Sequence, residues 1–156
     1  MDCRQRLESY LREQGIEFEV TEHRTAFTAQ QVAASEHVSG RAFAKVVIAR
    51  ADGDLLMLVL PASRMVDLAK VADVVGERDV RMASESEFAP AFPDCEPGAM
   101  PPFGNLYNVP VYADTAMGRS QHIVFQAGTH TLTMGIAYAD FERAVSPTVA
   151  DITVSR

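Results

Sequence analysis

Two hydrophobic periods organise this chain, one helical and one alternating. Residues 2–14 place Cys3, Leu7, Tyr10, Leu11 and Gln14 on one helical face, and Gly15 follows as a stop. Residues 17–21 suit a short strand, and Thr28-Ala-Gln-Gln31 reads as a capping box that opens a helix through about Glu36. Two apolar runs, 42–50 and 54–60, are joined by Asp52-Gly53, which tolerates the positive φ of a tight hairpin turn. Pro61 closes the second run. Ser63 is placed to cap a helix carrying Val66, Leu68, Val71, Val74 and Val75, stopped by Gly76. Residues 80–82 predict a short strand, and Ser84-Glu-Ser-Glu87 another capping box.

Residues 93–105, PDCEPGAMPPFGN, hold four prolines and two glycines, which excludes helix and regular strand. Three strand candidates follow, at 106–113, 121–127 and 129–136. In the last two, Ile123, Phe125 and Ala127 share one side, and Leu132, Met134 and Ile136 likewise. Residues 138–145 predict a closing helix, and 146–156 a loosely held tail. About seven strands at hairpin spacings, interspersed with short helices, predict an α+β fold with a strongly curved mixed sheet. A doubly wound sheet would need regular strand–helix alternation, which the paired strands at 42–60 and 121–136 break.

At 156 residues the chain is expected to form one domain, with a core that needs no metal or disulfide staple. Apolar content of 47% with 22% charged residues is that of a globular protein, and no stretch approaches the length of a membrane helix. The start MDCRQRLESYLREQG lacks the apolar core of a signal peptide, so a cytoplasmic location is expected; the chain is also expected to be a monomer with no membrane partner. Cys3 and Cys95 are too few and too unpatterned for a disulfide framework or a structural zinc site. The formal charge of −7 argues against a broad grip on nucleic acid. Eleven of the fourteen Lys and Arg residues nevertheless lie in 1–81, so a local basic surface around Arg41, Lys45, Arg50 and Arg64 stays open beside a scattered solvated one.

Three features could carry chemistry. Lys45 is one of only two lysines against twelve arginines, and it sits inside AFAKVVIA with apolar residues at both parities. It is either an edge residue snorkelling to water or a cation held for an anion or a carbonyl oxygen. His130 shares parity with Leu132, Met134 and Ile136, so it is expected on the core side, as a structural histidine or as a site residue. The loop PGAMPPFG is stiffened by Pro101 and Pro102, while Gly98, Ala99, Met100, Phe103 and Gly104 keep amide donors that could form an oxyanion hole. A proline-rich surface turn is the alternative. The four histidines, His23, His37, His122 and His130, show no metal-ligand spacing. A thiol hydrolase built on Cys95 is disfavoured because Asp94 and Glu96 would raise its thiol pKa.

Five segments, EHRTAFTAQQVA at 22–33, GRAFAKVVIA at 40–49, LVLPASRMVDLAKVADVVG at 58–76, PGAMPPFG at 97–104 and FQAGTHTLTM at 125–134, together resemble the YbaK/EbsC family. That family includes the prolyl-tRNA synthetase editing domain and freestanding aminoacyl-tRNA deacylases. The resemblance implies a mixed, barrel-like sheet surrounded by short helices. It also implies trans-editing hydrolysis of a mischarged aminoacyl-tRNA ester, with alanyl or cysteinyl proline tRNA as the commonest theme, and no metal or cofactor. By position, Lys45, Gly98 and His130 match the family's catalytic elements. Ala99, Met100, Pro101, Pro102, Phe103, Gly104, Gly128 and His23 match its substrate-binding segments. This loop reads GAMPP where some members carry a Gly-Ser-Pro-type variant, so its amino-acid preference does not transfer. Met100, Phe103, Ile123, Phe125 and Met134 are the candidate lining for the amino acid. An aminoacyl-tRNA synthetase or an elongation factor is the implied protein partner. A non-catalytic module of the same fold, binding a tRNA end, a synthetase or a small ligand, is the alternative function.

Overall fold

The computed structural model describes residues 1–23, 43–76 and 79–155. The capping box at 28–31 and the helix expected after it lie outside these. Helix α1 (Cys3–Glu13) starts at a capping box, in which the Asp2 carboxylate accepts from the Gln5 amide and the Gln5 side chain accepts from the Asp2 amide. Of the predicted face it buries Cys3, Leu7 and Leu11, while Tyr10 is half-buried and Gln14 is exposed at the C-cap. Strand β1 (Glu19–Glu22) follows.

Strands β2 (Ala44–Ala51) and β3 (Asp54–Pro61) form the predicted hairpin, with Ala51 opposite Asp54 and Asp52 at φ +57 in the turn. Their nearly unbroken apolar runs follow from burial on both faces. Ala44 and Ile48 face one core with Met57 and Val59. Val47, Ala49 and Ala51 face a second core with Leu56, Leu58, Leu60, Val71 and Ile152. The hairpin lies inside a five-stranded mixed sheet of order β5-β2-β3-β6-β9, completed by β5 (Val80–Met82), β6 (Val111–Asp114) and β9 (Thr148–Ala150). The β3–β6 and β6–β9 pairs are parallel.

Strands β7 (His122–Gln126) and β8 (Leu132–Ala137) pair with β1 in a second sheet of order β1-β8-β7. Its inner face adds Ile123, Phe125, Leu132, Met134 and Ile136 to the first core. Among the described residues, a parallel bridge from Phe43 to Val124 links the two sheets. The expected α+β fold with a mixed sheet is present; among the described residues the strands do not close into a barrel.

Three elements differ from expectation. Arg64–Val66 is strand β4 rather than helix, because it pairs with β10 (Thr153–Ser155). The helix α2 (Leu68–Val74) therefore begins later and is capped by Asp67, not Ser63, through bonds from the Ala69 and Lys70 amides. The short helix α3 (Glu85–Phe88) keeps its predicted Ser84–Glu87 box. The strand expected from residue 106 begins only at Val111, because Gly104–Tyr107 makes a 3-10 turn that ends at Asn108, φ +58. Helix α4 (Tyr138–Val145) is as expected, but the tail behind it is not loose. It supplies β9 and β10, and Ile152 between them is fully buried. The Ile152 amide donates to Asp114 Oδ1, and Asp114 is itself only 1% exposed.

Candidate active site

The loop 97–104 and the β7–β8 turn are bound to each other backbone to backbone. The Glu96 amide donates to the Gly128 carbonyl at 2.8 Å, and the Gly128 amide donates to the Ala99 carbonyl at 2.9 Å. The turn spans residues 127–131, with Gly128 at φ +99, so the strand alternation assumed for His130 breaks before it. His130 consequently stands half-exposed at the rim instead of inside the core. Its Nε2 lies 2.9 Å from the Pro97 carbonyl and must carry the proton of that bond. Its Nδ1 is then an acceptor, 3.4 Å from the Gln126 side-chain amide. Gly98, at φ +86, packs against this imidazole, and a Cβ built there would lie 3.4 Å from His130 Cε1.

Donors in the loop are fewer than the sequence suggests. The Ala99 amide is used by the Glu96 carbonyl and the Phe103 amide by the Pro101 carbonyl. Among the described residues the Gly98 amide meets the Met100 sulfur, at 3.3 Å, a weak acceptor, and no backbone carbonyl. No acceptor for the Met100 amide is found among the described residues. Gly98, Met100 and the buried Gly104 are thus the loop donors not spent on backbone carbonyls among the described residues.

Several other candidates are buried in the core. Phe103 is fully buried, its ring 5.7 Å from Phe125, 6.0 Å from Phe141 and 6.4 Å from Tyr10. Met100, Ile123, Phe125 and Met134, expected to line an amino-acid pocket, are core residues of the same cluster, and for Ile123, Phe125 and Met134 strand parity points them inward. Pro101 and Pro102 are buried, and a Cβ at Gly104 would sit 2.5 Å from the Val109 carbonyl oxygen, so close packing dictates that glycine. His23, at the end of β1, joins the rim; its amide donates to the Thr131 carbonyl at 2.7 Å, and its Nε2 lies 3.2 Å from Thr133 Oγ1.

Lys45 lies on strand β2. It shares the β2 face of Val47 and lines an apolar groove of about 520 Å³ with Val47, Met65, Val66, Leu68 and Met82. Met65 and Met82 are 51% and 48% exposed. None of the described residues in that lining comes from the 97–104 loop or from the β7–β8 turn.

Beneath the loop, Cys3 and Cys95 are bonded sulfur to sulfur, a pairing across 92 residues that their spacing did not announce. Tyr107 Oη stands 3.3 Å from Cys95 Sγ and 3.4 Å from Cys3 Sγ, and donates to Asp94 Oδ1 at 2.8 Å. Arg6 holds the other Asp94 oxygen at 2.9 Å. Burial works to raise the Asp94 carboxyl, but Arg6 and the Tyr107 hydroxyl outweigh it and hold it below the usual range. Burial, with Asp94 beside it, pushes the Tyr107 phenol well above its ordinary value.

No helix among the described residues is long and apolar enough to cross a membrane. No curated protein matches the sequence. Among solved structures, hypothetical protein APE2540 superposes with a TM-score of 0.87 at 18% identity, covering 96% of this chain and 99% of its own. A protein described as a candidate trans-editing enzyme for prolyl-tRNA synthetase superposes at 0.86 with 19% identity over 98% of each chain. A candidate signal transduction protein from Marinobacter aquaeolei VT8 aligns at 0.73 with 16% identity; 97% of this chain matches 31% of that longer one. These superpositions show a shared fold. Residues 23–144, most of the sequence, match the model of the aminoacyl-tRNA editing domain, and the chain belongs to that family.

Proposed function

We propose that this protein is a trans-editing deacylase, hydrolysing the ester that joins a wrong amino acid to the terminal ribose of a tRNA. The observation that carries this reading is the interlock of the Gly98 loop with the Gly128–His130 turn, which leaves the Gly98 and Met100 amides without a backbone carbonyl partner among the described residues. An aminoacyl ester is already activated, so positioning and oxyanion stabilisation matter more than a strong nucleophile.

In this reading water adds to the ester carbonyl carbon, and the two amides receive the negative charge that develops on its oxygen. The tetrahedral intermediate then breaks its bond to the ribose oxygen, which leaves with a proton relayed by the neighbouring ribose hydroxyl. His130 does not take that proton through Nε2, which is engaged with Pro97; it holds the loop in place. Lys45 receives a phosphate of the terminal adenosine, and the flexible Met65 and Met82 offer an adaptable surface to the base. Alanyl or cysteinyl proline tRNA is the proposed substrate class, with a synthetase or an elongation factor supplying further affinity.

The test is a panel of mischarged tRNAs, followed for ester loss with wild type and Lys45→Ala, each with and without a chelator. At least one substrate should be hydrolysed well above the buffer rate, with kcat/KM about a hundredfold lower for Lys45→Ala and no effect of the chelator. If no substrate is cleaved faster than in buffer, the reading fails and the non-catalytic module takes its place. Equal rates for the two proteins would leave hydrolysis standing and remove Lys45 from it.

A further inference from the structure

We infer that Cys3 and Cys95 form a reversible oxidation site whose state sets the position of the Gly98 loop. The structural part stands on its own; its consequence for hydrolysis rests on the editing reading above.

The pair is built into the loop's foundation. Cys95 lies three residues before Gly98, and the Glu96 amide between them donates to Gly128. The Cys3 amide donates to the Asp94 carbonyl at 3.2 Å. A Cβ at Gly128 would sit 2.8 Å from both Cβ and Sγ of Cys3, so the Cys3 side chain is already flush against the turn that carries His130. Two thiol sulfurs stand further apart than two bonded ones. On reduction, Gly128 blocks the retreat of Cys3 on that side. Cys95 and the following residues 96–98 are the side left to yield, and they carry the Pro97 carbonyl and the Gly98 amide with them.

The surroundings serve both states. Tyr107 Oη lies within 3.4 Å of either sulfur, and Asp94 Oδ1 is 3.7 Å from Cys95 Sγ. Acceptors for a thiol hydrogen are therefore present when the bond opens. Cys3 is the first residue of α1, where the helix favours a thiolate, and Arg6 is one turn away. Both cysteines are buried, Cys95 at 9% residue exposure and Cys3 at 2%.

A peroxide is the oxidant class. The Cys3 thiolate attacks one peroxide oxygen, giving a sulfenic acid and releasing water or an alcohol. Cys95, on losing its proton, then attacks that sulfur and displaces the remaining oxygen as water, so two electrons and two protons leave the pair. A dithiol reverses this: it ends as a cyclic disulfide and returns two thiols.

The experiment uses the full chain after hydrogen peroxide, after dithiothreitol, and as Cys95→Ser. Alkylation with mass detection counts free thiols, amide hydrogen exchange reports the loop, and ester loss reports activity. Peroxide should protect both cysteines from alkylation and dithiothreitol should expose both. Exchange at Ala99 and Gly128 should rise roughly tenfold on reduction, with the β2–β3 hairpin unchanged. Cys95→Ser should match the reduced form under either treatment. Where a mischarged tRNA is cleaved, kcat/KM should fall severalfold on reduction. Full alkylation after peroxide would overturn the inference, as would a bond that forms while exchange at Ala99 and Gly128 stays the same. If exchange responds but no mischarged tRNA is cleaved by either form, the oxidation site stands and the editing reading falls.

Discussion

Gly98 and Gly128 face the same rim, yet different physics requires glycine at each. At Gly98 a methyl group would have room, 3.4 Å from His130, so the demand comes from φ +86. At Gly128 the demand is double: φ +99, and 2.8 Å to Cys3. Gly98→Ala is therefore expected to fold with a loss of about 1–2 kcal/mol and to lose deacylation as the amide turns away. Gly128→Ala should lose more, about 2–4 kcal/mol, because overpacking adds to the strain. Denaturant melts beside ester-hydrolysis assays check both; equal stability losses would remove the packing argument. At this scale the sequence marked the glycines and prolines well, because they are constrained by their own backbone. It could not settle Lys45, since β2 is apolar on both faces, nor the rim position of His130, since Gly128 breaks the alternation just before it.

Elements held by local signals were readable, whereas strands β4 and β10, each held by the other across the sequence, were not. The Asp52-Gly53 hairpin, the Ser84 capping box and helix α4 carry their determinants within a few residues. Strand β4 exists because β10 lies beside it, nearly ninety residues later, and neither is long or apolar enough to announce itself. The Cys3–Cys95 pairing was illegible for the same reason. Asp114 ties these distant pieces together. Its two oxygens accept from the Ala116 and Ile152 amides, each at 3.0 Å, in a buried setting where Arg64 lies 3.9 Å away. Asp114→Ala strands both amides and should destabilise the fold by about 3 kcal/mol, while Asp114→Asn, which keeps one acceptor, should lose about half of that. Urea melts that show no difference between the two variants would mean that the tail is held by Ile152 burial alone.

At the scale of the molecule, charge limits how the protein can meet a polyanion. The net charge is −7, and most described cations are committed to carboxylates: Arg4 and Arg12 to Glu8, Arg6 to Asp94, Arg50 and Arg81 to Glu87, Lys70 to Asp151 and Arg143 to Asp140. Such exposed pairs add little stability, but they cancel the positive field that would draw a tRNA body to the surface. A grip confined to the acceptor end, with the Lys45 groove as its cationic point, neutralises only one or two phosphates. Because each neutralised phosphate contributes about −0.7 to −0.9 to the slope of log K against log salt, that slope should lie near −1 to −2. A minihelix ending in the same acceptor stem should then be hydrolysed with a kcat/KM within about threefold of the whole tRNA. Titration across a salt series and parallel assays of the two substrates measure both quantities. A steep slope, or a minihelix that is barely cleaved, would show that the tRNA body is bound by cations outside the groove, and the acceptor-end grip would have to be abandoned.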